Sequence, residues 1–156
     1  MDVRQGALPG MSLRLRVPPN AQYGRFVRER VLGYAAARGV PKADALEFVA
    51  ALSEALANAI EHSLSADTIE VSCWLDEERL VATVVDHGIG FSSEQHVSRP
   101  SLPDPLAERG RGLPLMRTFA DQVAVRSRPG EGTAVMLSRS LRGRRRVNDS
   151  SSAMAG

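Results

Sequence analysis

Residues 12–17 alternate apolar and polar side chains, with Leu13, Leu15 and Val17 set against Arg14 and Arg16, the period of a half-buried strand. Pro18-Pro19-Asn20 ends that run. Over 21–38 the apolar positions Phe26, Val27, Val31, Leu32 and Ala35 recur at helical spacing, and Gly39 fits the stop of the helix they predict. A second helix is predicted over 41–62, with Pro41 in its first turn and Leu46, Val49, Leu52, Leu56 and Ile60 on its core face. Segments 68–75 and 79–85 read as a hairpin turned by Asp76-Glu77-Glu78. Segment 113–121 reads as a short helix with Pro114 in its first turn. Segments 122–127 and 133–140 read as two more strands turned by residues 128–132.

Between them lies 92–109, with Pro100, Pro103 and Pro105 and almost no large apolar residue. A loop of that length in a compact domain is commonly a lid or a binding loop. Both strand pairs are joined by short turns, so the sheet is mainly antiparallel within a mixed arrangement, with helices on one face. The predicted fold is an α+β two-layer sandwich occupying 12–141. It is preceded by a flexible N-terminus (1–11) and followed by a basic tail (142–156), with no internal repeat.

At 156 residues the chain fits one domain with a sizeable core. No apolar run approaches the roughly 20 residues of a membrane span, and 1–9 lacks the apolar stretch of a signal peptide, so the cytoplasm is expected. Cys73 is the single cysteine, which excludes an internal disulfide and a cysteine-based metal cage. The net charge of +2 conceals a C-terminal cluster, Arg139, Arg142, Arg144, Arg145 and Arg146. Aromatic residues make up only 4% of the chain and none is interleaved with that cluster. It therefore reads as a solvated tail, and neither nucleic acid nor membrane is an expected partner.

Three short motifs carry the chemistry. On the second helix Glu54, Asn58 and His62 fall in one column, within about 80° of one another at the helical period. No lysine or arginine lies between Lys42 and His62, and Ala51, Ala55 and Ala59 flank the column as though leaving room for a ligand. By itself the column reads equally as a ligand face or a solvent face. Asn58 Oδ1 suits Mg²⁺, a hard cation, and Glu54 suits a base that takes a proton from an attacking hydroxyl or water. His62 could contact phosphate or simply close the helix.

Asp86, at the end of the apolar strand, precedes Gly88 and Gly90. A plain turn accounts for that spacing; so does a carboxylate that accepts a hydrogen bond from a base amino group, with glycines allowing close approach. Gly110-Arg111-Gly112 stands just before a helix, where exposed N–H groups attract phosphate and Arg109 or Arg111 could add charge. A loop-to-helix turn explains that segment equally.

In this order the motifs resemble those of the gyrase, Hsp90, histidine kinase and MutL ATPase superfamily. Glu54-x-x-x-Asn58-Ala59-x-x-His62 is similar to its N box, Asp86-x-Gly88-x-Gly90 to its first glycine box, and Gly110-x-Gly112-Leu113 to its second. Gly130-Glu131-Gly132-Thr133 looks like its last nucleotide-binding element. The resemblance covers 12–141 and is nearest to the small bacterial anti-sigma factor serine/threonine kinases, in size and in Ser53-Glu54-Ala55-Leu56-Ala57-Asn58-Ala59 and Gly110-Arg111-Gly112-Leu113-Pro114.

That resemblance implies a Bergerat-type ATP site, with Asp86 on adenine, Asn58 on Mg²⁺, Glu54 as catalytic base, Thr133 helping to hold adenine and 92–109 as the ATP lid. It implies a sigma factor and a STAS-domain anti-anti-sigma protein as partners, and a homodimer. A histidine kinase would need a separate phosphoacceptor helix pair, and a gyrase-like motor would need a transducer domain. A non-catalytic ATP binder that acts by sequestering a partner is the remaining alternative.

Overall fold

The computed structural model describes residues 12–63, 67–90 and 112–142. Along the chain run β1 (Leu13–Val17), α1 (Tyr23–Ala37), α2 (Lys42–His62), β2 (Ile69–Asp76), β3 (Arg79–Asp86), α3 (Gly112–Phe119), β4 (Gln122–Arg128) and β5 (Gly132–Ser140). The strands form one sheet in the order β1-β2-β3-β5-β4. Each of its pairings is antiparallel, so the described sheet has no mixed character. The reason is topological: β5 returns between β3 and β4 and runs against both.

Local chemistry sets the helix ends. Asn20 Oδ1 accepts the Gln22 N–H at 3.0 Å, a turn that delays α1 to Tyr23. At its end Val40 N–H donates to Ala35 O and Gly39 N–H to Ala36 O, both at 3.1 Å, with Gly39 at φ +70. That is the Schellman stop expected of Gly39. Pro41 lies just outside α2 as its N-cap, with ψ 135, and Asp44 places an acid in the first turn.

Helix α2 lies across β3 and β5, flanked by α1 and α3. Phe48, Leu52 and Leu56 of α2, Val27 and Val31 of α1, and Ile69, Val71, Leu80 and Leu137 of the sheet are all fully buried together. The helix stripes differ from the sequence expectation at their margins. Phe26 is 46% exposed and Leu46 49% exposed. Leu46 shares its helix side with Ala43, Ala57 and Glu61, which are also exposed, while Ala45 and Phe48 take the inward places. In α1 the inward column is Val27, Val31, Tyr34 and Ala35, and Phe26 falls outside it.

A buried charge cluster ties the two layers together. Arg139, grouped by sequence with the C-terminal basic run, lies inside β5 with its side chain only 6% exposed. Its Nε donates to Asp44 Oδ1 at 3.2 Å, a second guanidinium nitrogen pairs with Glu47, and Nη1 donates to Phe119 O at 2.8 Å. Arg142 N–H donates to Asp44 Oδ2 at 3.1 Å. Strand β5 is thereby fastened to the first turns of α2 and the end of α3. Arg144, Arg145 and Arg146 lie outside the described residues.

Candidate functional site

Glu54, Asn58 and His62 sit one turn apart on α2, and each is half-buried. The column runs along the border between the exposed side of the helix and its core side. Ala51, Ala55 and Ala59 do not flank it with open space: all are buried in the core, at 0%, 1% and 4% exposure. Their small side chains serve close packing, so they give no support to ligand clearance.

Asp86 ends β3 and is buried, at 5% exposure. Its Oδ1 accepts the Gly88 N–H at 2.9 Å, folding the chain back over the carboxylate. Among the described residues Asp86 Oδ2 accepts no hydrogen bond. That oxygen is left to take a donor from a ligand or water.

The glycines hold this loop against its neighbours. A Cβ on Gly88 would stand 2.7 Å from His62 O and 3.1 Å from Ser63 Cα, so the loop rests on the end of α2. Gly90, at φ +62, packs its Cα against the Arg128 and Gly132 carbonyls, and Gly132, at φ +86, packs against Asp86 O and His87. Gly130 N–H donates to Ile89 O at 2.6 Å. The loop after β3 thus packs between the end of α2 and the β4–β5 turn, with no room for a side chain at Gly88 or Gly90 and a left-handed backbone at Gly90.

Thr133 is the register partner of Asp86 across β3 and β5, so both project from the helix-covered face. Thr133 is also the partner of Ser127 across β4 and β5, and their hydroxyls lie 2.7 Å apart. Ser127, buried at 4% exposure, was not among the residues that sequence reasoning selected. A signal was present: alternation through Val123 and Val125 places Ser127 at the next inward position, where a polar residue needs a partner.

The second glycine box is visible only in part. Gly112 opens α3, in which Leu113 also lies; Arg109, Gly110, Arg111 and the loop 92–109 lie outside the described residues. Asn58 and Glu54, each half-buried, carry side-chain oxygens of the kind Mg²⁺ takes. Among the described residues no three His, Cys, Asp or Glu side chains gather to hold a metal. No helix of the described residues is long and apolar enough to cross a membrane.

The chain therefore brings the N box, the first glycine box and the Gly132-Thr133 element to one end of the sheet. Residues 17–139 match the histidine kinase-like ATPase domain family. The serine-protein kinase RsbW of Bacillus velezensis is 31% identical over 142 residues, covering 85% of this chain and 88% of that protein. RsbW of Bacillus subtilis is 30% identical, covering 88% and 90%. The anti-sigma F factor of Pasteuria penetrans is 30% identical, covering 78% and 85%.

Among solved structures, the RsbU and RsbW domains of a Mycobacterium tuberculosis protein superpose with a TM-score of 0.62 at 20% identity. The alignment covers 83% of this chain and 32% of that one, and it supports the fold alone. The chain belongs to the histidine kinase-like ATPase domain family, in the group that holds the RsbW serine-protein kinases and the anti-sigma F factors.

Proposed function

We propose that this protein is an ATP-dependent anti-sigma factor of the cytoplasm. It binds a sigma factor and phosphorylates a serine or threonine of a STAS-domain antagonist. The observation that supports the reading is the packing of the loop after β3 on the end of α2: a Cβ on Gly88 would stand 2.7 Å from His62 O and 3.0 Å from Asp86 Oδ1, so the buried Asp86 lies next to the end of the helix that carries Glu54, Asn58 and His62. That packing supports reading Asp86 as the base-recognising acid and Glu54 with Asn58 as the acid–amide pair of one nucleotide site. The names of the relatives support protein serine as acceptor and a sigma factor as partner.

In this reading Asp86 and Thr133 receive adenine, Gly88 and Gly90 let the base approach the backbone, and His62 and the Arg109 to Leu113 motif are assigned to the phosphates. Asn58 Oδ1 would hold Mg²⁺, which when bound would neutralise phosphate charge. Glu54 accepts the proton of the attacking hydroxyl as its oxygen bonds to the γ-phosphorus and the bond to the β-phosphate oxygen breaks. The protein works as a homodimer, which sedimentation of the purified chain checks.

The test is phosphorylation of STAS proteins from the same genome, read by intact mass with Mg-ATP. One added phosphate on a serine or threonine is expected, lost in Glu54→Gln while ATP still binds. If ATP binds and no STAS protein gains phosphate, the kinase reading fails and the sequestering alternative takes its place.

A further inference from the structure

Arg139 occupies an inward position of β5, on the face where Val135 and Leu137 meet the core, and its guanidinium is buried. A guanidinium is a planar fork of N–H donors, and once buried it needs acceptors around that plane. Here they come from two helices. Nε donates to Asp44 Oδ1 at 3.2 Å and a terminal nitrogen pairs with Glu47, both in the first turns of α2. Nη1 donates to the backbone oxygen of Phe119, the last residue of α3, at 2.8 Å.

Asp44 and Glu47 are enough to neutralise the charge. The bond to Phe119 O does something else: it fastens the end of α3 to the start of α2. The chain that leaves α3 is also tied to β5 on either side of Arg139. Asp121 N–H donates to Ser138 O at 2.9 Å, and Asp121 Oδ2 accepts the Ser140 N–H at 2.6 Å. Helix α3 is thus held at its C-terminal end while it packs along α2, with Met116 in the core. Its 8 residues extend about 11 Å at 1.5 Å per residue. The same length of α2, counted from Glu47, ends at Glu54, one turn before Asn58. With its end fixed beside Glu47, α3 brings Gly112 abreast of the stretch from Glu54 to Asn58.

We propose that Arg139 is a positioning residue for the phosphate end of the nucleotide site: by holding the start of α2 and the end of α3 in one guanidinium, it sets how far α3 reaches along α2 and so where Gly112 stands beside Asn58. The inference rests on the nucleotide-site reading above and adds to it a residue at the opposite end of α2 from Asp86. Arg139 touches no ligand and acts through α3. Apolar packing is non-directional and lets a short helix shift along its neighbour, whereas a hydrogen bond at the helix end fixes one place. The adenine end depends on other contacts, those of Gly88 with the end of α2 and of Gly90 with the β4–β5 turn. Loss of the Arg139 bond to α3 therefore reaches the phosphates and spares the base.

The experiment compares ATP with adenosine, which lacks the phosphates, by displacement of a fluorescent ATP analogue from the full chain with Mg²⁺. Arg139→Lys keeps a positive charge for Asp44 and Glu47 but, without the planar fork, gives up Phe119 O. It is expected to lower ATP affinity by about tenfold and adenosine affinity by less than about twofold. Asp121→Ala, at an exposed position, cuts the tie to Ser140 without opening the core, and should lower the ATP-over-adenosine ratio by about threefold. A purely structural role for Arg139 would weaken both ligands together, in step with the folded fraction read by circular dichroism. Folded Arg139→Lys with the wild-type ratio overturns the role of Arg139 and leaves the nucleotide site standing. Should Arg139→Lys fail to fold, an unchanged ratio in Asp121→Ala overturns the positioning of α3 from this end. Wild-type protein that binds neither ligand overturns the site itself.

Discussion

The carbonyl oxygen of His62 lies against Gly88 so closely that a side chain there would stand 2.7 Å from it and 3.0 Å from Asp86 Oδ1. The end of α2 and the loop after β3 are therefore packed together by a contact that excludes a single methyl group.

Gly88→Ala should accordingly separate the two halves of the site. The methyl group meets backbone on one side and a hydrogen-bonded carboxylate on the other, so relief requires the loop to move. Overpacking of this kind costs about 1–3 kcal/mol. Urea unfolding should register that loss, and ATP affinity should fall by about tenfold as the loop shifts. Gly33 is the control, since a Cβ there meets nothing within 4 Å and the residue lies on the exposed side of α1. Gly33→Ala should raise stability by roughly 0.5–1 kcal/mol and leave ATP binding alone. Equal ATP affinity in Gly88→Ala and wild type would show that the contact does not position the site.

Asn58 is assigned a narrower task than its neighbours on α2, and its test is the metal dependence of binding. Asn58→Ala should weaken ATP binding in Mg²⁺ by at least about tenfold while changing binding in chelator little. Half-burial at the helix border gives its amide both access and a fixed base. If the affinity measured with Mg²⁺ is unchanged, Asn58 is not the metal ligand.

Much of this architecture was legible in the sequence because it depends on short-range rules. The alternation of Leu13, Leu15 and Val17 and the Gly39 stop each concern a few neighbouring residues, and all stand where expected. The spacing of Asp86, Gly88 and Gly90 likewise reflects one loop. What was not legible depends on partners distant in sequence. Periodicity gives a helix its apolar stripe but not the stripe's edges, which is why Phe26 and Leu46 are exposed. Ala51, Ala55 and Ala59 looked like clearance because the layer they pack into comes from elsewhere in the chain. Ser127 gains meaning only from a register that places it opposite Thr133, and Arg139 from an acid 95 residues away.

Cys73 offers a test of the core rather than the site. Burial pushes its thiol up to about 12 from an ordinary 9.0, against a weaker downward pull from the Arg38 guanidinium. The folded protein therefore keeps this proton where the unfolded chain releases it. A raised folded value means that the stabilisation is complete below pH 9 and is lost as pH climbs from there toward 12. Burial raises the Tyr34 phenol as well, which adds in the same direction. The urea midpoint should fall between pH 8 and pH 10.5, less steeply in Cys73→Ala. A disulfide reagent at pH 8 should label Cys73 only as fast as the protein unfolds. Rapid labelling of the native protein would contradict the buried placement.

The cluster at the other end of α2 makes the largest stability prediction. Arg139 is buried and Asp44 is 2% exposed, so removing either partner leaves a charge inside the protein. Breaking such a pair costs about 3–5 kcal/mol, far more than a surface bridge. Arg139→Met keeps the volume and removes the charge, and it also frees Phe119 O at the end of α3. Arg142 N–H remains on Asp44 Oδ2, and its exposed guanidinium can move closer, which places the expected loss near the lower bound, about 3 kcal/mol. The double variant Arg139→Met with Asp44→Asn should lose much less than the sum of the single changes, because each single change strands the partner that the other removes. Additive losses would mean that Arg139 stabilises the fold through its packing and its bond to α3, with the buried acid satisfied by other groups.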